Sequence, residues 1–302
     1  MKTLVVVVLN WNGLADTRAL LPTLARGRAP QGWQVRVMVV DNGSSDGSAA
    51  RLAAEFPQVE VLALGANLRF AGGNNRGLER ALASGAEAVM LLNNDTEADP
   101  GLLERLVLAL EQDPGAGAAA PLIYYAAPSA RIWYAGGRLS VPLAHAAHRG
   151  LRTLDHGQYR SVEPTGYLTG CCLLATRAAW EKVGRLDERY FLYAEDSDWS
   201  LRARQAGFRL LFVPTARLWH RVSASSGAMS PWKIEQRLRA NRRLWATHAR
   251  GLARLTWPPC FLVQQAALAA WLLASGHAEA AAAVPRALLG GGGASTPGEA
   301  RA

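Results

Sequence analysis

Four places in this chain of 302 residues set carboxylates or an imidazole where they could do chemistry. Asp41 closes an apolar run at 35–40 and opens the polar cluster Asp41-Asn42-Gly43-Ser44-Ser45-Asp46-Gly47. A carboxylate so placed can accept a base N–H or a ribose hydroxyl of a nucleotide; an Asp there also starts an Asx-turn into a following helix. Asn93-Asn94-Asp95 closes a second apolar run. It suits a divalent cation bridging a diphosphate, because Mg2+ and Mn2+ take oxygen ligands and often only one or two protein carboxylates. The alternative is a polar loop whose side chains cap the turn. Glu195-Asp196-Ser197-Asp198 opens a helical stretch, where acids are stabilised by the helix dipole and one can act as general base toward a hydroxyl. The preceding Tyr190-Phe191-Leu192-Tyr193 would supply an apolar wall that tunes the carboxylate. His220 follows a strand pattern at 209–213 and reads either as a late cation ligand or as a packed surface histidine. Arg202 and Arg204 either neutralise the acids on their helix or pair with a phosphate.

The elements that must position these residues alternate strand and helix. Apolar runs at 4–9, 35–40, 59–64 and 88–92 read as buried strands. Helices are expected at 16–25, 48–56, 74–84 and 100–112, the third opened by Gly72-Gly73 and the last by Asp99-Pro100 as N-cap and N1. Such units imply an α/β fold, a mostly parallel sheet flanked by helices, with ligands bound beyond the carboxyl ends of the strands. After Pro121 the texture turns irregular, to about residue 165. A strand is expected at 169–175, a short helix at 177–183, a helix at 195–207, and a basic helix at 232–250.

Half the chain is hydrophobic and 19% charged, a composition with material for a core that excludes a disordered or collagenous chain. Three cysteines, two of them adjacent at Cys171 and Cys172, do not make a secreted framework and point to reduced thiols in the cytoplasm. The run at 4–9 is too short for a signal peptide. The net charge of +9 is uneven: residues 1–200 carry 19 Lys/Arg against 21 Asp/Glu, residues 201–302 carry 14 against 3. The basic character therefore belongs to the last third and does not make the whole chain a nucleic-acid binder. A P-loop, a G-x-G-x-x-G after the first strand, a G-x-S-x-G elbow and zinc-spaced Cys/His sets are all missing from the sequence.

The segments VVVVLNWNG (5–13), VVDNGSSDGS (39–48), GANLRFAGGNNRG (65–77), LLNNDTEADPGLL (91–103), TGCCLLATRAAWEKVGRLDERYF (169–191) and YAEDSDWSLRARQAGFRL (193–210), with His220 trailing, together resemble the family 2 glycosyltransferases with the GT-A fold. The chain looks most like their rhamnosyltransferase-like bacterial branch, over residues 1–225. The resemblance implies a nucleotide-diphosphate sugar donor, Mg2+ or Mn2+ as cofactor, and direct displacement with inversion onto a hydroxyl of a glycan or lipid-linked acceptor. It places Asn10, Asn12 and Asp41 at the nucleoside, with Asn67, Gly73 and Asn75 in a loop beside the nucleotide and Asn94 also on the donor side. It makes Asp95 the last acid of the D-x-D metal motif, His220 a residue near the diphosphate or metal, Asp196 the base and Glu195 its neighbour. Asn93 stands where the usual motif has its first acid, so one carboxylate supplies less charge than two. Rhamnose on dTDP is the first expectation for the donor; UDP- and GDP-sugars stay open. The rival readings are a sugar-1-phosphate nucleotidyltransferase, which would need a Gly-, Arg- and Lys-rich loop after the first strand, and a non-catalytic nucleotide-sugar-binding subunit.

The expected organisation is a GT-A domain at 1–225, a basic then apolar helical extension at 226–289, and a disordered tail at 290–302. Seven Lys and Arg from Lys233 to Arg254 face only Glu235, and 24 uncharged residues follow before Glu279. An interfacial helix on the inner face of the cell membrane is expected there, with Pro258-Pro259 interrupting its start; packing on the catalytic domain or homo-oligomerisation is the alternative.

Overall fold

The computed structural model describes residues 1–222 and 230–289, so the tail expected at 290–302 lies outside the described residues. The described chain forms two compact units. One holds residues 1–138, 147–189 and 195–222; the other holds 139–146, 190–194 and the described C-terminal residues.

The first unit runs β1 (Lys2–Asn10), α1 (Leu14–Ala25), β2 (Trp33–Asp41), α2 (Ser48–Glu55), β3 (Glu60–Ala63), α3 (Arg69–Ala83), β4 (Ala88–Asn93), β5 (Thr96–Ala98), α4 (Leu102–Gln112), β6 (Ala116–Tyr125) and β7 (Ile132–Tyr134). After a small ribbon of β8 (Gly137–Ser140) and β9 (His145–His148) come β10 (Glu163–Pro164), β11 (Cys172–Thr176), α5 (Arg177–Val183), α6 (Glu195–Gln205) and β12 (Arg209–His220). One sheet carries the order β10-β12-β6-β11-β4-β1-β2-β3, with β5 added to β12 and β7 to β6. Strands β3, β2, β1 and β4 are parallel. Beyond them the sheet is mixed rather than mostly parallel, because β11 runs antiparallel between β4 and β6.

Strand β1 is central, and Leu4 to Val8 are at most 1% exposed. That is why its sequence is a continuous apolar run instead of an alternating one. Each such side chain contributes about 1.5–3 kcal/mol by leaving water. The parallel register then delivers chemistry to one edge: Asn10 pairs with Asp41, and Leu9 with Asn93.

Helix α3 begins at Arg69, so Gly72-Gly73 lie inside it and do not open it. The glycines are there for close approach: a Cβ on Gly77 would sit 2.4 Å from Val7 Cγ1, and one on Gly73 would sit 2.5 Å from Leu9 Cδ1. Strand β6 falls where the sequence turns irregular, with Pro121 within it. Strand β12 extends past 213 to His220, its register shifting between Val213 and Arg217.

In the second unit, α7 (Pro231–His248), α8 (Ala253–Ala274) and α9 (Ala278–Leu289) pack on one another. Helix α8 runs through Pro258-Pro259 without a break. The two missing donors would have bonded the carbonyls of Arg254 and Leu255, both exposed residues that water can serve. Phe261, Gln265 and Leu272 form its buried stripe, while Leu255, Leu262, Val263, Trp271 and Leu273 are each more than half exposed. The run 190–194, expected as a wall for the acids, belongs to this unit: Phe191 meets Trp232 edge-on at 6.0 Å, and Arg243 stands 5.9 Å from the Tyr190 ring.

Candidate active site

The carboxyl edge of β1, β2 and β4 is a network of amides around Asp41. Asn10 Nδ2 donates to Asp41 Oδ1 at 2.8 Å, and the Ser44 N–H donates to Oδ2 at 3.1 Å. Thr17 Oγ1 donates to Asn10 Oδ1 at 2.8 Å, and Asn94 Nδ2 donates to Thr17 Oγ1 at 3.0 Å. Asn10 is fully buried, so it orients Asp41 and does not itself line an open pocket. Asn12 is exposed; its Oδ1 accepts from the Ser45 N–H at 2.8 Å and shapes the turn after β2.

The neighbouring α3 segment departs from the expected loop. Asn67 Oδ1 accepts from Asn42 Nδ2 at 2.9 Å, while Gly73 and Asn75 are buried inside the helix. Gly73 meets Leu9 and Asn42. Asn75 donates to the carbonyl of Leu186 and to Glu188 Oε1, both at 2.9 Å, and accepts from the Leu186 N–H at 3.0 Å. These two therefore support the site from behind: Gly73 allows close packing, and Asn75 ties α3 to the segment ahead of α6.

Asp95 and His220 come together although 125 positions apart in sequence. Strand β12 pairs with β5 so that His220 lies opposite Thr96, and the Arg221 N–H donates to the Asp95 carbonyl at 2.9 Å. His220 Nε2 stands 3.1 Å from Asp95 Oδ1 without the alignment of a hydrogen bond, and His220 Nδ1 is buried without a partner. Two donor atoms held face to face, with polar capacity unspent, fit a hard cation that takes its remaining ligands from substrate phosphate and water. Among the described residues no group of three or more His, Cys, Asp or Glu gathers for a metal.

The acids of α6 are held from several directions. Asp196 accepts from the Gly170 N–H at 2.9 Å on Oδ2 and from the Ser197 N–H at 2.6 Å on Oδ1. Ser200 Oγ accepts from the Leu168 N–H at 3.0 Å, and Trp199 Nε1 donates to the Gly184 carbonyl at 2.8 Å. Arg202 is engaged by Asp198 at 2.8 Å and by the carbonyls of Val183 and Arg185, and Arg204 reaches the Gly166 carbonyl at 3.3 Å. Those commitments remove Arg202 as a phosphate ligand. Glu195 is buried with Oε2 unpaired; burial, and then the charge of Asp196, push its carboxyl up to about 8. Burial thus favours the protonated form of Glu195, whereas Asp196 is met by two N–H donors. The Gly170 N–H escaped the sequence reading, because a backbone donor leaves no mark in residue type beyond the Thr169-Gly170 turn ahead of β11. Cys171 and Cys172 are buried, which pushes both thiols well above their usual range and leaves them inert.

The chain belongs to glycosyltransferase family 2: the family profile described as "Glycosyltransferase like family 2" matches residues 2–244. It is 34% identical over 211 residues to the N-acetylglucosaminyl-diphospho-decaprenol L-rhamnosyltransferase of Mycobacterium tuberculosis, covering 64% of this chain and 68% of that one. It is 24% identical over 193 residues to the dTDP-rhamnosyl transferase RfbF of Shigella flexneri, covering 63% and 61%. Among solved structures it matches a mannosyltransferase from Pyrobaculum calidifontis in complex with GDP-Man and Mn2+. There the TM-score is 0.59 and the identity 18%, over 95% of this chain and 86% of that one, a likeness of GT-A fold.

Proposed function

We propose that this glycosyltransferase moves a sugar, with inversion, from a nucleotide-diphosphate donor to a hydroxyl of a lipid-linked or glycan acceptor in cell-surface polysaccharide synthesis. The observation that carries the reading is the Asp196 carboxylate, clamped by two backbone N–H groups beside the buried Glu195. Asp41, held by Asn10 and Ser44, receives the nucleoside, with Asn12, Asn67 and Asn94 near it. Asp196 takes the proton of the acceptor hydroxyl as its oxygen bonds the anomeric carbon; the bond from that carbon to the phosphate oxygen breaks, and its electron pair leaves with the nucleoside diphosphate. Asp95 and His220 would hold Mg2+ or Mn2+, which supplies positive charge against the departing diphosphate.

Rhamnose carried on dTDP is the donor we favour, supported by the two rhamnosyl-transferring relatives. The relative acting on a decaprenol-linked sugar favours a lipid-linked acceptor. We place the enzyme in the cytoplasm with a peripheral membrane contact. The support is α8, long and apolar enough to cross a membrane and only 17% buried over its most apolar window, following the basic α7. The test is a thermal-shift panel of dTDP-, UDP- and GDP-sugars with Mg2+ or Mn2+. A bound donor raises Tm with the logarithm of its concentration over Kd. No shift with any nucleotide sugar would overturn the reading, and binding without donor hydrolysis or transfer would leave a binding subunit.

A further inference from the structure

A set of aromatic side chains beside the acids takes no part in the roles above. Trp133, on β7 and half-buried, packs against two imidazoles. Its ring centre is 4.6 Å from that of His220 at 86°, and 4.4 Å from that of His148 at 75°. His148 Nδ1 lies 3.1 Å from the Trp133 carbonyl oxygen. A carbonyl only accepts, so Nδ1 carries the hydrogen and Nε2 presents a lone pair. That Nε2 has no partner among the described residues and is not sealed from solvent. The ring cannot easily turn away: Tyr134 packs edge-on at 5.1 Å, Tyr167 lies at 5.9 Å, and the Tyr134 hydroxyl donates to the Tyr167 carbonyl at 2.7 Å. Burial lowers the imidazole from its ordinary range, which keeps it neutral, and the charges that reach it are those of Asp196 and His220.

The place of this pair follows from the displacement. The leaving oxygen, the anomeric carbon and the attacking oxygen must align. With the diphosphate at Asp95 and His220 and the acceptor at Asp196, the transferred sugar would lie between them, where Trp133 touches His220 and the charges of Asp196 and His220 both reach His148. We propose that Trp133 and His148 form the wall of the transferred-sugar subsite: the indole covers an apolar C–H face of the ring, and His148 Nε2 accepts from one ring hydroxyl. A large aromatic surface with one placed polar atom fixes orientation at little entropic cost. The wall suits a deoxyhexose, whose methyl group loses nothing on burial, and opposes a uronic acid, whose carboxylate would be desolvated without a partner. The inference rests on the glycosyltransferase reading.

The experiment uses the full chain and its Trp133→Ala, Trp133→Phe, His148→Ala and His148→Gln variants. The probes are dTDP-L-rhamnose and free dTDP, or the sugar and diphosphate of another base if the panel selects it. Trp133→Ala and His148→Ala should weaken the nucleotide sugar and lower kcat/KM by about 10- to 100-fold. His148→Ala should leave the affinity for the free diphosphate within about twofold, whereas Trp133→Ala, whose indole also packs on His220, should weaken the nucleotide sugar by clearly more than the free diphosphate. Trp133→Phe, which keeps an aromatic face, and His148→Gln, which keeps an acceptor, should recover part of the loss and stand in if an alanine variant fails to fold. Wild-type values in the alanine variants, or parallel loss of sugar nucleotide and free diphosphate, would overturn the assignment. A wild type that binds free diphosphate but no nucleotide sugar would instead overturn the transferase reading.

Discussion

Replacing Glu195 with Gln tests the electrostatics of the acidic pair without relying on any substrate. Glutamine keeps the size of the protonated acid and cannot ionise. In the folded protein the Glu195 carboxyl titrates at about 8, raised by burial and by Asp196, against 4.5 for an ordinary glutamate. Between those values the folded chain holds a proton that the unfolded chain has released. The stabilisation from that proton is complete below about pH 4.5 and is lost as pH rises through about 8. A difference of one bound proton makes a slope of about 1.4 kcal/mol per pH unit. Wild type should therefore lose stability relative to Glu195→Gln at close to that slope across the window, with the variant a few kcal/mol ahead by pH 8. Urea unfolding of both proteins at pH 5, 6, 7 and 8 measures it directly. Repeating the pair in an Asp196→Asn background should narrow the window from its upper end with the slope inside it unchanged, because the second cause of the shift is gone. Stability curves for wild type and Glu195→Gln that run parallel from pH 5 to pH 8 would refute the burial argument and return Glu195 to the list of candidate bases.

The remaining predictions concern activity and location. Asp196→Asn should lower transfer by roughly 100-fold or more with donor binding retained, whereas Glu195→Gln should stay within about tenfold of wild type at pH 7; single-turnover kinetics with saturating donor separate the two. Asp95→Ala should abolish stimulation by Mg2+ or Mn2+ and weaken diphosphate binding, and EDTA should inhibit wild type; full activity in EDTA would mean that the Asp95–His220 pair holds no cation. Asp41→Ala should raise donor KM more than it lowers kcat, because a nucleoside contact is equal in ground and transition states; the reverse split would move Asp41 into the chemistry. The full chain should float with anionic liposomes at low salt and a chain ending at Ser230 should not, each basic residue near the leaflet contributing about 1 kcal/mol. A full chain that stays at the bottom would turn the apolar face of α8 toward a second copy.

The first four strands and the stops after three of them were legible in the sequence because they are local. An apolar run that is buried on both faces reads the same before and after folding, and the polar turns at Asn10, Asp41 and Asn93 end it within a few residues. The acids were legible for the same reason: a carboxylate at the end of such a run has few roles. Strand β6 was not legible, since its Ala, Gly and Pro residues acquire strand geometry from their neighbours β11, β12 and β7 and not from their own preference. Nor was the course of α3, where Gly73 answers to Leu9, 64 positions away, and Gly77 to Val7, 70 positions away. Only the tertiary structure brought His220 to Asp95, through the pairing of β12 with β5, and only it sorted the amides into contact and support. Asn10 and Asn75 carry the same side chain as Asn12, and burial alone makes the first two struts. Glu195 and Asp196 are adjacent acids in the sequence; what separates them is that one side chain is buried with Oε2 unpaired and the other is met by two N–H groups. Charge state, burial and long-range pairing are properties of surroundings, and the surroundings exist only once the chain has folded.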